Sequence, residues 1–271
     1  MKNKKVLALV ESAVMIALAT VLSLFPLADL PYGGSITIAA MLPIIIISYR
    51  HGLSWGFGSG FVFGIIQQLL GLKNLSYFTT WQSIVVLVLF DYIIAYAVCG
   101  IGGIFRHSIK SQACGLMLGS ALTCILRYLC HVLSGATIWA GLSIPTQAAL
   151  GYSLIYNATY MLPEMIIMIA VSLWLGSSLD FRTETPIRMQ RSKTEKTSPL
   201  LPLLSGLCLT GAAVYDIVAV FTHLQDAETG EFTVTQLGAV NWTTVIIVTL
   251  VGIIAAAALM AVRAAKRNSA A

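Results

Sequence analysis

Residues 1–27 read MKNKKVLALVESAVMIALATVLSLFPL, and in them three lysines precede an apolar run from Val6 to about Leu27. About 20 apolar residues are enough for a helix to cross the hydrocarbon core of a bilayer. This run is longer than the core of a signal peptide, about 7–15 residues, and it lacks a convincing small-residue cleavage site. We therefore expect a retained membrane span with its lysines on the inner side.

The same alternation of basic and apolar segments continues along the chain. All but two of the 16 Lys and Arg residues lie in every second gap between apolar stretches, and the exceptions are Lys73 and Arg127. Basic residues collect on the cytoplasmic flanks of membrane helices, so the pattern predicts eight spans with both termini in the cytoplasm. The predicted spans are residues 6–27, 36–49, 53–71, 79–104, 113–133, 151–178, 200–221 and 240–262, and the longer outer gaps are residues 72–78, 134–150 and 226–231.

The composition excludes several classes of protein. Hydrophobic residues make up 58% of the chain and charged residues 10%, with a mean hydropathy of +0.86, whereas about 25% of a soluble domain is charged. The net charge of +5 reflects inner flanks that anionic lipid attracts, so we expect no nucleic-acid partner. The chain has no GxxxxGK[ST] phosphate loop, no HExxH motif and no GxSxG elbow. We therefore expect no ATPase, no metal, no cofactor and no enzymatic activity.

The fold class predicted from these patterns is an all-α, polytopic membrane helix bundle. The polar segment 180–199, DFRTETPIRMQRSKTEKTSP, is the predicted cytoplasmic linker. It divides a six-helix membrane domain (residues 1–179) from a two-helix C-terminal extension (residues 200–271). We find no internal repeat with matching broken helices, which disfavours the inverted-repeat architecture of many secondary transporters.

Small residues mark two predicted packing faces. The third span carries a glycine at every fourth position, which allows close helix approach, and we interpret this face as packing within the chain: Gly52, Gly56, Gly60 and Gly64. On the first span, Ala13 and Ala17 form a similar face together with Ala8 and Ser12. A face on a terminal helix can equally serve another subunit.

Ionisable groups at membrane depth are candidates for function, because each costs about 2.5–3.5 kcal/mol on insertion scales. Asp91 lies inside the fourth span and Glu164 inside the sixth. Glu11 lies close to the inner lysines, and we expect it to pair with them or to reach the interface. Arg127 and His131 are four residues apart and share one helix face near the outer end of the fifth span.

Further polar and aromatic groups follow at the same outer level. If the fifth helix continues, Gly135 and Trp139 extend the face of Arg127 and His131, and the sixth span opens with Tyr152 and Asn157. Aromatic rings attract cations and a buried carboxylate neutralises them, so this inventory predicts a site for a small, flat, positively charged ligand. We expect Tyr32 in the first outer loop and Trp81 to close over the site, with the Gly33–Gly34 pair as a hinge.

Two runs near the centre of the chain resemble a known family. Residues 127–139 read RYLCHVLSGATIW and residues 151–163 read GYSLIYNATYMLP. Together with ESAVMIALA at residues 11–19 and the Asp91–Tyr92 pair, they resemble the thiamine-specific substrate-binding component (S component) of energy-coupling factor (ECF) transporters. The resemblance extends over about residues 5–178 and is most specific in the H-x-x-S-G-x-x-x-W and Y-S-x-x-Y-N runs.

This resemblance implies a six-helix core that binds thiamine with high affinity on its outer face and has no ATPase of its own. Transport would require a transmembrane coupling subunit and two ATP-binding subunits in the same lipid bilayer. By this likeness His131 and Trp139 would hold the thiazolium ring, and Asp91 would balance its charge or bind the aminopyrimidine. The remaining implied site residues act through hydrogen bonds (Tyr92, Tyr152 and Asn157) or through close approach (Gly135).

Ala13 and Ala17 resemble the small-residue motif that contacts the coupling subunit in this family. Three features depart from the family pattern. Asp91 stands where a longer Glu is expected, and Arg127 occupies a Lys position although its planar fork is not an equivalent donor. The last two spans have no counterpart in the six-helix pattern.

The residues leave alternatives open. The same architecture could bind a thiamine precursor such as hydroxymethylpyrimidine, or another vitamin. A self-sufficient ion-coupled carrier would use Asp91 and Glu164 as coupling carboxylates. An intramembrane enzyme would use Asp91 and His131 as acid and base, but we identify no oxyanion donors or further catalytic group for it.

Overall fold

A computed structural model describes residues 4–30, 34–77, 80–141, 146–189, 200–221, 223 and 235–268 of the chain. These residues are predominantly helical, which confirms the predicted all-α bundle. The long helices are α1 (Lys4–Ser23), α2 (Leu42–His51), α3 (Leu53–Leu70), α4 (Trp81–Arg106), α5 (Gln112–Gly141), α6 (Thr146–Ser178), α7 (Leu200–Phe221) and α8 (Trp242–Asn268). Short 3₁₀ helices cover Leu72–Tyr77 and Thr235–Ala239.

Within the described residues, six helical segments are long and apolar enough to cross a membrane. They are Lys4–Ser23, Leu53–Leu70, Trp81–Arg106, Gln112–Ala136, Leu150–Ser178 and Trp242–Arg263. α7 is a 22-residue helix at the position of the predicted seventh span. The pattern of apolar runs therefore located the helices well.

The predicted second span, residues 36–49, is wrong in its first part. Strand β2 (Ser35–Ile36) pairs antiparallel with β1 (Ala28–Asp29), and α2 begins only at Leu42 with Pro43 in its first turn. Ten residues of helix extend about 15 Å, half of the hydrocarbon thickness. α2 is instead the centre of the core, since Ile44, Ile45, Ile47 and Tyr49 are all fully buried.

The glycines of α3 pack within the chain, as the spacing predicted. A Cβ added to Gly60 would lie 2.4 Å from the carbonyl oxygen of Tyr96, and one added to Gly64 would lie 2.8 Å from that of Tyr92. Both carbonyls belong to α4, so the two backbones are in direct contact. Gly52 takes no part in this contact. It separates α2 from α3 with a φ of 97°, a conformation that favours glycine.

Glu11 pairs with an arginine and a histidine of α2. Both carboxylate oxygens of Glu11 accept hydrogen bonds from Arg50 at 2.7 Å, and His51 lies 2.6 Å away. The guanidinium of Arg50 also donates to the backbone carbonyls of Phe181, Thr183 and Glu184. This cluster joins α1 and α2 to the chain that follows α6.

The beginning of the predicted linker is ordered against the helix bundle. Strands β3 (Leu179–Asp180) and β4 (Ile187–Arg188) form a short antiparallel hairpin. The chain divides into two compact units, and the boundary falls between Arg188 and Met189, inside the predicted linker 180–199. In the second unit, α7 and α8 are linked by a hydrogen bond of 2.6 Å from Thr249 to Asp216.

Candidate functional site

The fourth and fifth helices meet through a histidine and a carboxylate. His131 Nδ1 on α5 lies 2.9 Å from Asp91 Oδ1 on α4, and the two side chains are 9% and 20% exposed. An ionised carboxylate only accepts hydrogen bonds, so with Asp91 ionised the Nδ1–H of His131 donates this bond, and the bond fixes the orientation of the imidazole ring. The structure thus brings together two residues that the sequence placed on different spans.

Asp91 lies in an irregular part of α4. Residues Leu87–Ile94 form a π-helical segment between the α-helical residues Trp81–Val86 and Ala95–Ala97. π-Helical segments are rare and occur frequently at functional sites, because the wider turn redirects side chains. Nothing in the sequence pattern predicted this segment.

Asn157 is the centre of a buried hydrogen-bond network between α5 and α6. Its Nδ2 donates to the Ser153 carbonyl at 2.9 Å and to the His131 carbonyl at 3.3 Å. Its Oδ1 accepts a bond of 2.6 Å from the hydroxyl of Tyr160. The amide is therefore fixed in orientation, and it holds the turn of α5 that carries His131.

Gly135 permits the close approach that this network requires. A Cβ at Gly135 would lie 2.3 Å from Ser153 Oγ and 3.4 Å from Asn157 Nδ2. α5 continues as a helix to Gly141, so most of the predicted outer gap 134–150 is helical. The predicted end at residue 133 is wrong, because Gly135 packs against α6 and the helix continues past it.

Three tyrosines of α6 form an aromatic row beside the imidazole. The rings of Tyr152 and Tyr156 are nearly parallel, with centroids 6.4 Å apart, and Tyr156 meets Tyr160 edge to face at 5.8 Å. The ring of His131 lies 6.1 Å from that of Tyr160, also edge to face. The aromatic surface predicted for this level is thus continuous with the His131–Asp91 pair.

The first outer loop contacts this row at Gly34. The backbone N–H of Gly34 donates to the hydroxyl of Tyr156 at 3.1 Å. A Cβ at Gly34 would lie 2.9 Å from the Tyr156 hydroxyl and 2.9 Å from a carbon of the Tyr160 ring. In this structure Gly34 allows the loop to lie directly against the two tyrosine rings. Tyr32, which the sequence predicted to close over the site, and Gly33, predicted as part of the hinge, lie outside the described residues.

Two buried polar atoms at this level have no hydrogen-bond partner among the described residues. They are Nε2 of His131 and Oγ of Ser134, one turn further along α5. An unsatisfied buried polar atom costs about 1–3 kcal/mol, so native structures rarely keep one without a reason. Ser134 was not among the predicted site residues, although it stands in the H-x-x-S-G run that pointed to its neighbours.

Residues 9–181 match the family model described as "Thiamine transporter protein (Thia_YuaJ)". The chain belongs to this thiamine transporter protein family. The family and its curated relatives are transporters and not enzymes, and the apolar helices make this member a multi-pass protein of the cell membrane.

Two curated relatives are similar to this member of the family over most of their length. "Thiamine transporter ThiT" of Bacillus subtilis (strain 168) is 34% identical over 177 residues, which are 61% of this chain and 88% of the relative. "Thiamine transporter ThiT" of Lacticaseibacillus paracasei is 26% identical over 186 residues, 63% of this chain and 87% of the relative. A solved structure of ThiT from Listeria monocytogenes has a TM-score of 0.52 at 22% identity and covers 64% of this chain and 95% of its own. It supports the helical-bundle fold.

Arg127 has a different environment from His131 in this thiamine transporter family member. Its guanidinium forms a buried ion pair of 2.8 Å with Glu164 and donates to the hydroxyl of Tyr96 at 3.0 Å. Thr37 donates a hydrogen bond to the other oxygen of Glu164. The structure therefore does not bring Arg127 to Asp91, and it gives Glu164 two partners of its own.

The remaining predicted site residues lie around this centre. The hydroxyl of Tyr92 accepts a hydrogen bond of 3.0 Å from Asn74. Trp81 is the first residue of α4 and is 70% exposed. The backbone of Trp139 continues α5, and its side chain lies outside the described residues.

Proposed function

We propose that this chain is the thiamine-binding S component of an ECF-type vitamin importer. It would capture thiamine on the outer face of the membrane at the site built around Asp91 and His131. This proposal rests on membership of the thiamine transporter protein family and on the geometry of the described site residues.

One observation carries the proposal. A partly exposed carboxylate, Asp91, is held by His131 beside a row of aromatic rings, and His131 Nε2 has no partner among the described residues. The negative group can balance the thiazolium charge, and the rings offer faces that attract a cation. Nε2 can form one hydrogen bond with a polar group of thiamine.

We extend the proposal to the other predicted site residues by their likeness to the family. Tyr92, Tyr152 and Asn157 would supply hydrogen-bonding groups, Gly135 would allow the ligand to approach closely, and Trp139, Trp81 and Tyr32 would supply aromatic rings. In this proposal Arg127 does not contact the ligand. It holds Glu164 and Tyr96, and so it positions α4 and α6 around the site.

The finer part of the proposal concerns partners. In α1, Ala8, Ser12 and Ala19 are buried, whereas Ala13 and Ala17 are exposed. Small exposed residues allow a second membrane helix to approach closely. We therefore assign Ala13 and Ala17 to the contact with the transmembrane coupling subunit, which in turn binds two ATP-binding subunits.

The alternatives find less support in the structure. An ion-coupled carrier would need Glu164 to exchange an ion, but its carboxylate is 2% exposed and already bound by Arg127 and Thr37. Uptake by the purified chain alone in liposomes, driven by a proton or sodium gradient, would favour the carrier. Uptake that requires ATP and the added subunits would favour the proposal.

Calorimetric titration of the purified full chain in detergent tests the ligand. We expect thiamine to bind at least about tenfold more tightly than hydroxymethylpyrimidine, a difference of about 1.4 kcal/mol. Asp91→Asn is expected to weaken thiamine binding by at least that factor and to leave the neutral pyrimidine nearly unaffected, because only the cation loses a counter-charge.

Asp216→Asn is the matched control, since it makes the same change in the second compact unit. It should bind thiamine as the parent does. Equal thiamine affinities of Asp91→Asn and the parent would refute the site. Pyrimidine binding as tight as thiamine binding would favour the precursor as the ligand.

A further inference from the structure

A basic cleft lies at the end of the bundle opposite to the proposed thiamine site. It has a volume of about 330 Å³ and is lined by Arg106, His107, Ile109, Lys110 and Arg182. The first four follow one another at the end of α4, and Arg182 lies in the hairpin after α6. Three cationic side chains and an imidazole thus converge from two parts of the chain, and no carboxylate is among the lining residues that the structure describes.

Hydrogen bonds to neutral groups hold two of these cations in place. Arg106 donates to the backbone carbonyl of Tyr49 at 2.8 Å and to that of Arg50. Arg182 donates to the Tyr49 hydroxyl at 3.0 Å and to the carbonyl of Ile109 at 3.1 Å. Both guanidinium groups are therefore oriented without neutralising their charge.

None of the three cations has a counter-ion in the part of the chain that the structure describes. The ion pairs found there involve Arg50, His51, Arg127 and His131. Like charges that face one cleft repel each other, and an anion between them removes that repulsion. Arginine forks bind phosphate oxygens in a bidentate way, and a lysine adds a point charge.

The position of the cleft indicates where the anion comes from. Arg106 is the last residue of the apolar segment Trp81–Arg106, so the cleft lies where a membrane helix reaches the headgroup level. Exposed apolar residues continue towards it, including Ile104, which is 44% exposed. Basic pockets at the ends of membrane helices bind the headgroups of anionic lipids.

We propose that the cleft between residues 106–110, at the end of α4, and the hairpin after α6 binds a phosphate group, supplied by the headgroup of an anionic phospholipid. The charged lining binds the phosphate, and the acyl chains extend along the exposed apolar surface of α4. This assignment is independent of the ligand on the opposite side of the bundle.

Native mass spectrometry of the full chain in detergent, with thermal unfolding beside it, tests the proposal. The probes are short-chain phosphatidylglycerol, the matching phosphatidylcholine and inorganic phosphate. We expect phosphatidylglycerol to bind at least fivefold more tightly than phosphatidylcholine, which carries the same phosphate but a compensating positive charge. If phosphatidylglycerol raises the unfolding temperature at concentrations where inorganic phosphate does not, the lipid is the source of the phosphate group. An equal rise with inorganic phosphate overturns that assignment.

Variants of the cleft make the test specific. Lys110→Gln combined with Arg182→Gln should reduce phosphatidylglycerol binding at least fivefold. Lys4→Gln combined with Arg188→Gln removes the same charge outside the lining and should not reduce it. An equal loss in both double variants would mean diffuse surface attraction and would overturn the proposal.

The single variant Lys110→Gln tests the cleft without disturbing the fold. Arg182 helps to hold Tyr49, so its replacement can disturb the fold, whereas Lys110 forms no hydrogen bond or ion pair among the described residues. Lys110→Gln should keep the unfolding temperature of the parent and bind phosphatidylglycerol about two- to threefold more weakly. Unchanged binding in this variant and in the folded double variant would refute the cleft as a phosphate site.

Discussion

At the scale of single residues, Arg127 and His131 lie four residues apart on α5 and bind different carboxylates. Arg127 pairs with Glu164, and the two side chains are 8% and 2% exposed, whereas Asp91 beside His131 is 20% exposed. A fully enclosed ion pair fixes helices, because a lone charge there has no solvent to stabilise it. A partly exposed carboxylate such as Asp91 can still bind a ligand in place of solvent.

This division of roles predicts that two substitutions differ in how much they change the free energy of unfolding. Arg127→Met leaves Glu164 charged and buried, and we expect it to lower the free energy of unfolding by about 3–5 kcal/mol. Asp91→Asn should change stability by less than about 1 kcal/mol, because its pair is only partly enclosed. Thermal unfolding in detergent measures both.

A combined variant separates the lost charge pair from lost packing. Replacing both partners with apolar residues, Arg127→Met with Glu164→Met, should restore much of the stability lost by Arg127→Met alone. If the double variant unfolds at a lower temperature than the single one, the pair contributes more through its hydrogen bonds to Tyr96 and Thr37 than through its charge.

At the scale of elements, the glycine face of α3 fixes the distance between α3 and α4. Gly60 and Gly64 are in backbone contact with the same helix that carries Asp91 and Tyr92. α4 is irregular at this level, with its π-helical segment Leu87–Ile94. The close contact therefore sets the position of the segment that presents the site carboxylate.

Gly60→Ala tests this contact. The added methyl would lie 2.4 Å from the Tyr96 carbonyl oxygen and must push α4 away. We expect a loss of about 1–3 kcal/mol of stability, typical of overpacking, together with weaker thiamine binding. Gly58 is the matched control on the same helix, because nothing lies within 4 Å of its Cβ position. Gly58→Ala should be neutral or slightly stabilising, and similar unfolding temperatures for the two variants would contradict the packing role.

At the scale of the whole molecule, the family match and the site belong to the first compact unit. The family model ends at residue 181, and the first unit is Met1–Arg188. The hairpin 179–188 closes this unit, because Arg50 binds three of its carbonyls and Gln112 binds the Phe181 backbone N–H at 2.9 Å. The C-terminal hairpin of the first unit is thus held by hydrogen bonds to helices of the same unit.

Removal of residues 189–271 is expected to leave thiamine affinity within about twofold of the full chain, or about 0.4 kcal/mol. Calorimetry of the two purified forms in detergent compares them, and circular dichroism checks that the shorter form is folded. A folded short form that no longer binds thiamine would show that the second unit contributes to the site.

The sequence by itself determined the helical membrane fold and most of the candidate site. Run length and the distribution of lysine and arginine are one-dimensional properties, so they located the helices without knowledge of their packing. The same is true of the His131 to Asn157 motifs, since spacing along a chain places residues on a helix face. These properties were sufficient to select Asp91, His131, Gly135 and Asn157.

Only the tertiary structure decided which groups meet across helices. Spacing defines a face of one helix but not the neighbour that it touches, so the partners of Arg127 and Glu11 could not be predicted. The short buried α2, the π-helical turn at Asp91 and the continuation of α5 past residue 133 depend on packing that overrides local pattern. The basic cleft belongs to the same class, because residues 106–110 and Arg182 are brought together only by the fold.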